Sequence, residues 1–171
     1  PPRWEDQVSY VTVDNIASAQ LAVNHLIQLG RRRIATITGQ MDIRDGRDRY
    51  LGYLRALEGS GLPVDENLIF FGRFDYEMGY EGMKHLLRSK PDAVFAGGDT
   101  AAIGALRAIR EAGLRVPEDI AVVGFDDLDV ALSATPPLTT IRHSIQLIGS
   151  TAARLLIDLI EERLEHPQHI I

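Results

Sequence analysis

The chain has 171 residues, 45% of them hydrophobic, which suffices for one globular domain with a real core. Its formal net charge is −6 and its pI about 5.3, so by itself it is a poor ligand for DNA or for an anionic membrane. There is no cysteine, which excludes disulfides and thiolate chemistry, and His25, His85, His143, His166 and His169 show no metal-ligand spacing, so neither a metal nor a cofactor is expected.

In chain order, short β-branched runs alternate with helical periods. YVTV (Tyr10–Val13) reads as a strand, and Asp14 is placed to cap a helix whose stripe is Ile16, Ala19, Val23 and Leu26 and which Gly30 stops. RIATIT (Arg33–Thr38) is a strand. A helix is expected from about Asp48, through Leu51, Leu54 and Leu57, to Gly59. LIFFG is a strand, and Asp75 can cap a helix that buries Met78, Met83, Leu86 and Leu87. DAVFAG is a strand, and Asp99 is the expected cap of a helix carrying Ile103, Leu106 and Ile109. VPEDIAVVGF is the last central strand. A loop with Pro136–Pro137 follows, then a short β-branched run and a long helix from about Ser144 to Leu164, with the stripe Ile145, Ile148, Ala152, Leu155, Leu159 and Ile160. The closing HPQHII reads as the start of a strand, and with the opening Pro-Pro it suggests that both ends are cut. No apolar run reaches the length of a membrane span, so no membrane partner is expected; PPRWEDQ is not a signal peptide, which argues for the cytoplasm only at a native N-terminus, and the opening Pro-Pro does not read as one.

This alternation predicts an α/β fold with a mostly parallel, doubly wound sheet, its strands apolar on both faces. Ligands of such sheets bind beyond the carboxyl ends of the strands. Asp14, the Asp42–Arg49 loop, Arg73–Asp75, Asp99 and Asp126–Asp129 all follow strands. Asp126 ends a central strand and should face the crevice, whereas Asp127 suits nearby backbone amides. Asp14, Asp75 and Asp99 each have a sufficient explanation as helix caps. Arg49 stands near a helix start, where the macrodipole disfavours a cation, so an anionic or hydrogen-bonding ligand would explain it; a solvated cluster with Arg44, Asp45, Arg47 and Asp48 is the alternative. Phe74 is either core or a platform for a flat ligand or a sugar face.

Several chemistries lack their motifs. There is no P-loop, no G-x-G-x-x-G, no G-x-S-x-G and no H-E-x-x-H. Asp127-x-Asp129 after an apolar strand resembles the nucleophile motif of haloacid-dehalogenase-like phosphatases, but no lysine follows it, so the constellation is incomplete. An enzyme is not expected.

The second half, DAVFAGGDTAAIGALRAIREAGLRVPEDIAVVGFDDLDVALSATPPLTTIRHSIQLIG, resembles the effector-binding core of LacI-family transcriptional regulators, and AVNHLIQLGRRRIATITG with Arg49-x-x-Gly52-Tyr53 agrees. The resemblance covers essentially the whole chain. It implies a two-lobed, periplasmic-binding-protein-like module of which this chain is one nearly complete lobe: residues 1–13 end the first lobe, 14–142 form the second, and 143–171 carry the crossover and a helix returning to the first lobe. The Pro136–Pro137 pair would then stiffen the crossover. The family's DNA-binding helix-turn-helix is absent from this chain.

By the same resemblance the effector contacts fall on Arg49, Phe74 and Asp126, with Asp45 and Asp14 as weaker transfers. Asp99 matches the acidic residue that opens the family helix, and Gly98 replaces the Asn of some sugar-responsive members. The purine-responsive member has an Arg six residues before the equivalent of Arg49; Ile43 here points away from a purine. The implied function is sensing of a small polar metabolite, a sugar or sugar derivative, by a repressor that binds operator DNA through its N-terminal segment and acts as a homodimer. The rival of the same architecture is a periplasmic sugar-binding protein of a transport system.

Overall fold

Two short apolar runs, Ile34–Ile37 and Ala93–Ala96, form the centre of a five-stranded parallel sheet in the computed structural model of the chain, which describes residues 7–164 and 166–171. The chain divides into two compact units: Asn15–Arg142, and the residues up to Asp14 together with His143–Ile171.

The larger unit is built from α1 (Asn15–Gln28), β2 (Ile34–Ile37), α2 (Arg44–Gly59), β3 (Ile69–Phe70), α3 (Tyr76–Leu86), β4 (Ala93–Ala96), α4 (Asp99–Glu111), β5 (Ala121–Asp126), α5 (Asp129–Ser133) and β6 (Thr139–Arg142), after β1 (Tyr10–Val11) of the other unit. Its sheet runs β3-β2-β4-β5-β6 with every pairing parallel. Side chains of alternate residues leave opposite faces. Ile34, Ala93, Phe95, Ala121, Val123 and Phe125 pack with Ala19, Val23, Leu26, Tyr53, Ala56 and Leu57 of α1 and α2. Ala35, Ile37, Val94, Ala96 and Val122 pack with Met83, Leu86, Ala105 and Ile109 of α3 and α4. Helices cover both faces, which is why β2, β4 and β5 are buried along nearly their whole length. The α3–α4 crossing is backbone against backbone: a Cβ on Gly79 would lie 2.0 Å from the Ala101 carbonyl oxygen, and one on Gly104 2.1 Å from that of Tyr76. The hydroxyl of the buried Tyr53 donates to the Ile34 carbonyl at 2.9 Å, and burial pushes its pKa up from the ordinary phenol value.

Several expectations need correction. The second helix starts at Arg44, not near Asp48, because its first turn is polar and gives no apolar signal; Ile43 occupies the N-cap without a side-chain bond. Its core face is Gly52, Tyr53, Ala56 and Leu57, while Leu51 is exposed. The cap of α4 is Gly98, and Asp99 is the first helical residue with its side chain turned elsewhere. Asp75 does cap α3, accepting from the Met78 amide at 2.8 Å. The segment after Asp129, expected as loop, contains the short helix α5. Pro136–Pro137 precedes β6 inside the larger unit, so the prolines do not carry the crossover; the chain leaves this unit after Arg142.

In the smaller unit β1 pairs in parallel with β7 (His169–Ile170), so the closing segment does form a strand. The Tyr10 and His169 rings stack at 4.3 Å. Helix α6 (Ile145–Ile160) is capped by Ser144, whose hydroxyl accepts from the Leu147 amide at 3.1 Å. It stops four residues before the expected end at Leu164. Of the expected stripe only Leu155 is buried, whereas Ile145, Leu159 and Ile160, with Leu147, Leu156 and Ile157, are exposed. Among the described residues no helix is long and apolar enough to cross a membrane.

Candidate functional site

Strand order places the site. Successive strands β2 and β3 lie on one side and β4, β5 and β6 on the other, so the loops leaving β2 and β4 turn to opposite faces and open a crevice at their carboxyl ends. Gly39 follows β2 there, and Gly97 and Gly98 follow β4. With no side chains on these glycines, the Phe74 ring rests on bare backbone. A Cβ on Gly39 would meet the ring at 2.0 Å, and one on Gly97 at 3.2 Å. Phe74 is thus neither core nor free: it is half-buried, with the Asp75 cap of α3 fixing the backbone next to it.

Arg49 lies in the second turn of α2, beyond the reach of the helix terminus, so the macrodipole argument for a ligand there falls away. Its guanidinium is buried and has partners within the chain. One nitrogen donates to the Gly97 carbonyl at 2.6 Å and pairs with the Asp126 carboxylate at 3.1 Å, and Nε donates to the Asn15 side-chain oxygen at 2.8 Å. The plane lies over the Phe125 ring at 3.7 Å and within 5.0 Å of Phe74, inside cation–π range. Burial lowers the Arg49 pKa from its ordinary value, and the charges of Asp126 and Asp45 only partly offset that.

The Asp126 carboxylate is therefore held on one side. Its side chain keeps 23% of its surface exposed, against 8% for Arg49. The reachable member of the pair is the carboxylate, and the arginine lies behind it. A carboxylate paired with a guanidinium and still partly exposed is of the residue type that accepts hydrogen bonds from hydroxyls. Its backbone is unusual: φ is 110° at Asp126 and 57° at Asp127, both in the left-handed half of the map.

Asp45, half-buried, accepts from the Asn15 side-chain amide at 3.1 Å, and that amide links it to Arg49. Asp99 is fully buried. Its carboxylate accepts from the Leu128 amide at 2.8 Å and from the Thr140 hydroxyl at 2.5 Å, so it presents nothing to the crevice. Burial raises its pKa from the ordinary value, opposed by those hydrogen bonds and by one from the Phe125 backbone. Asp127 pairs with Arg142 rather than with loop amides alone. Asp14 is exposed and belongs to the other unit. Arg49, Phe74, Asp126 and Asp45 thus come together, and Asp99 lies beneath them. Sequence reasoning missed Asn15, Gly97 and Phe125. An asparagine at a helix start reads as a cap, a glycine after a strand as a turn, and a phenylalanine in an apolar run as core; none carries a separate signal.

The chain matches the model of the periplasmic binding protein-like domain over residues 23–171. It is 45% identical over 169 residues to the HTH-type transcriptional regulator CelR of Thermobifida fusca, covering 98% of this chain and 50% of that protein. It is 43% identical over 161 residues to the HTH-type transcriptional repressor PurR of Yersinia pestis (strain Pestoides F), covering 92% of this chain and 47% of that protein. Among solved structures, a transcriptional regulator CelR–cellobiose complex superposes with a TM-score of 0.94 at 45% identity, over 97% of this chain and 51% of that one. A LacI-family regulatory protein from Chloroflexus aggregans superposes with a TM-score of 0.88 at 36% identity, over 99% and 61%. The chain spans about half the length of the curated relatives it matches.

Proposed function

The chain belongs to the periplasmic binding protein-like family, and from that premise we propose that it is the effector-binding core of a LacI-type transcriptional regulator and senses a small polyhydroxylated metabolite, a sugar or sugar derivative. The observation that carries this reading is the partly exposed Asp126 carboxylate, paired with Arg49, beside the Phe74 ring: a Cβ on Gly98 would lie 3.3 Å from that ring and 3.5 Å from that carboxylate. Paired acceptors suit vicinal hydroxyls, and an aromatic face suits the apolar side of a sugar ring. The solved CelR relative is a complex with cellobiose, which makes cellobiose the first ligand to test. The apolar side chain of Ile43, at the N-cap of α2, offers no hydrogen bond to a purine edge, which disfavours a purine.

In this proposal Asn15–Arg142 is one lobe, and β1, β7 and α6 belong to a second lobe completed by residues outside this chain. Operator DNA is read by a separate N-terminal segment, the whole protein works as a cytoplasmic homodimer, and no cofactor is involved. The relatives named above are regulators, which favours sensing over transport. They are also not enzymes, and the Asp127 carboxylate, the nucleophile of the phosphatase reading, is engaged by Arg142.

Calorimetric titration of cellobiose into the full-length protein tests the proposal. Asp126→Ala should weaken binding by about 1.5–3 kcal/mol, or roughly one to two decades in affinity. Asp126→Asn tolerates the positive φ and separates charge from backbone effects. Equal affinity in wild type and Asp126→Ala would remove Asp126 from the site. The chain by itself, at net charge −6, should give no gel shift with DNA at physiological salt, because phosphate neutralisation supplies most non-specific affinity.

A further inference from the structure

Asp126 adopts a backbone conformation that L-residues rarely accept, and such conformations persist only where the surroundings over-determine them. What over-determines this one is a group behind the site. The Asp99 carboxylate is fully buried at the start of α4, within the larger unit. One of its oxygens accepts the Leu128 amide at 2.8 Å; the other accepts the Thr140 hydroxyl at 2.5 Å, and the Phe125 backbone binds the same carboxylate. The Thr140 oxygen in turn accepts the Asp127 amide at 3.4 Å. The amides of residues 125, 127 and 128 are thus gathered, directly or through one hydroxyl, onto a single carboxylate. Those of residues 125 and 128 flank the two left-handed residues, and that of 127 joins them. Gly124 makes room for this: a Cβ there would lie 2.3 Å from the Asp99 carboxylate oxygen.

We infer that Asp99 is a positioning residue that never touches ligand and sets the direction in which Asp126 presents its carboxylate to the crevice. A helix-opening aspartate ordinarily binds the amides of its own helix. This one leaves the cap to Gly98 and binds the turn after β5 and the middle of β6 instead. The alternative, that Asp99 merely satisfies buried donors, predicts a stability effect without a change of aim. The inference rests on the sugar-sensing reading only for its affinity readout; the backbone readout stands without it.

The test uses the full-length protein and the variants Asp99→Asn, Thr140→Val and Thr140→Ser, with Ile109→Val of the α4 core as a control for stability loss alone. Two quantities are read: cellobiose affinity by calorimetry, and amide hydrogen exchange at Asp127 and Leu128. Asp99→Asn retains the shape but exchanges an acceptor for a donor. It should bind cellobiose about tenfold or more weakly and lose protection at both amides. Thr140→Val should act in the same direction, Thr140→Ser should restore wild-type values, and Ile109→Val should leave affinity and both amides unchanged. If Asp99→Asn does not fold, the Thr140 pair decides. Unchanged affinity with unchanged protection in Thr140→Val overturns the inference, as does a loss of affinity in Ile109→Val equal to that in Asp99→Asn. If wild type binds no cellobiose, the sugar reading fails; amide protection then decides, with loss in Thr140→Val and recovery in Thr140→Ser supporting the inference and retention in both variants overturning it.

Discussion

Arg49→Ala is expected to destabilise the protein by about 3–5 kcal/mol, the cost of removing one member of a buried ion pair. The loss exceeds the worth of the pair because of what is left behind. Asp126 keeps its charge, while the Asn15 side-chain oxygen and the Gly97 carbonyl lose their donor in a region that water reaches poorly. Arg49→Lys retains the charge but not the planar fork that reaches three acceptors at once, so it should fall between wild type and alanine. Urea unfolding monitored by circular dichroism measures both. A loss below about 1 kcal/mol in Arg49→Ala, the level of an exposed pair, would show that the guanidinium is not the internal strut described here. Cellobiose affinity should fall together with stability, since the carboxylate would lose its backing.

Phe125→Ala should cost about 3–5 kcal/mol, as large-to-small changes of a fully buried aromatic do. Two effects combine at this position. The ring belongs to the core formed with α1 and α2, and the Arg49 guanidinium lies over it at 3.7 Å. Alanine removes the floor as well as the filling. Phe125→Leu keeps most of the volume and should cost under about 1.5 kcal/mol. If leucine restores stability yet cellobiose affinity remains low, the ring supports the site; if leucine restores both, volume alone was needed.

Much of this architecture is legible in the sequence. The strand–helix alternation, the parallel doubly wound sheet and the cap at Asp75 follow from period and from residue chemistry. The failures are equally physical. The first turn of α2 is Arg-Asp-Gly-Arg-Asp, with no apolar residue to announce it, and the error moved Arg49 from the second turn into the first. An aspartate at the start of a helix reads as its cap, the commonest use of the residue at that place. Its real partners, Leu128 and Thr140, are 29 and 41 residues away and invisible to local reasoning. Asn15 and Gly97 enter the site through Arg49 alone. The position of Asp126 and Phe74 at the carboxyl side of the sheet is readable from sequence, because one ends a strand and the other follows one. The helix-start argument for Arg49 is not supported by its position in the second turn.

The glycines beneath the crevice decide where this protein can be retargeted. A side chain at Gly39 strikes the Phe74 ring, one at Gly46 comes within 1.9 Å of the Gln40 carbonyl oxygen, and one at Gly124 strikes the Asp99 carboxylate. Libraries diversified at those positions should yield mostly misfolded clones, whatever ligand is used for selection. Arg73 and Arg47 are exposed, the first paired with Asp75 and the second donating to the Met41 and Asp42 carbonyls, so neither fills a space that only a glycine fits. A search for new ligand preferences, by breeding or by design, has its freedom in the walls and almost none in the floor.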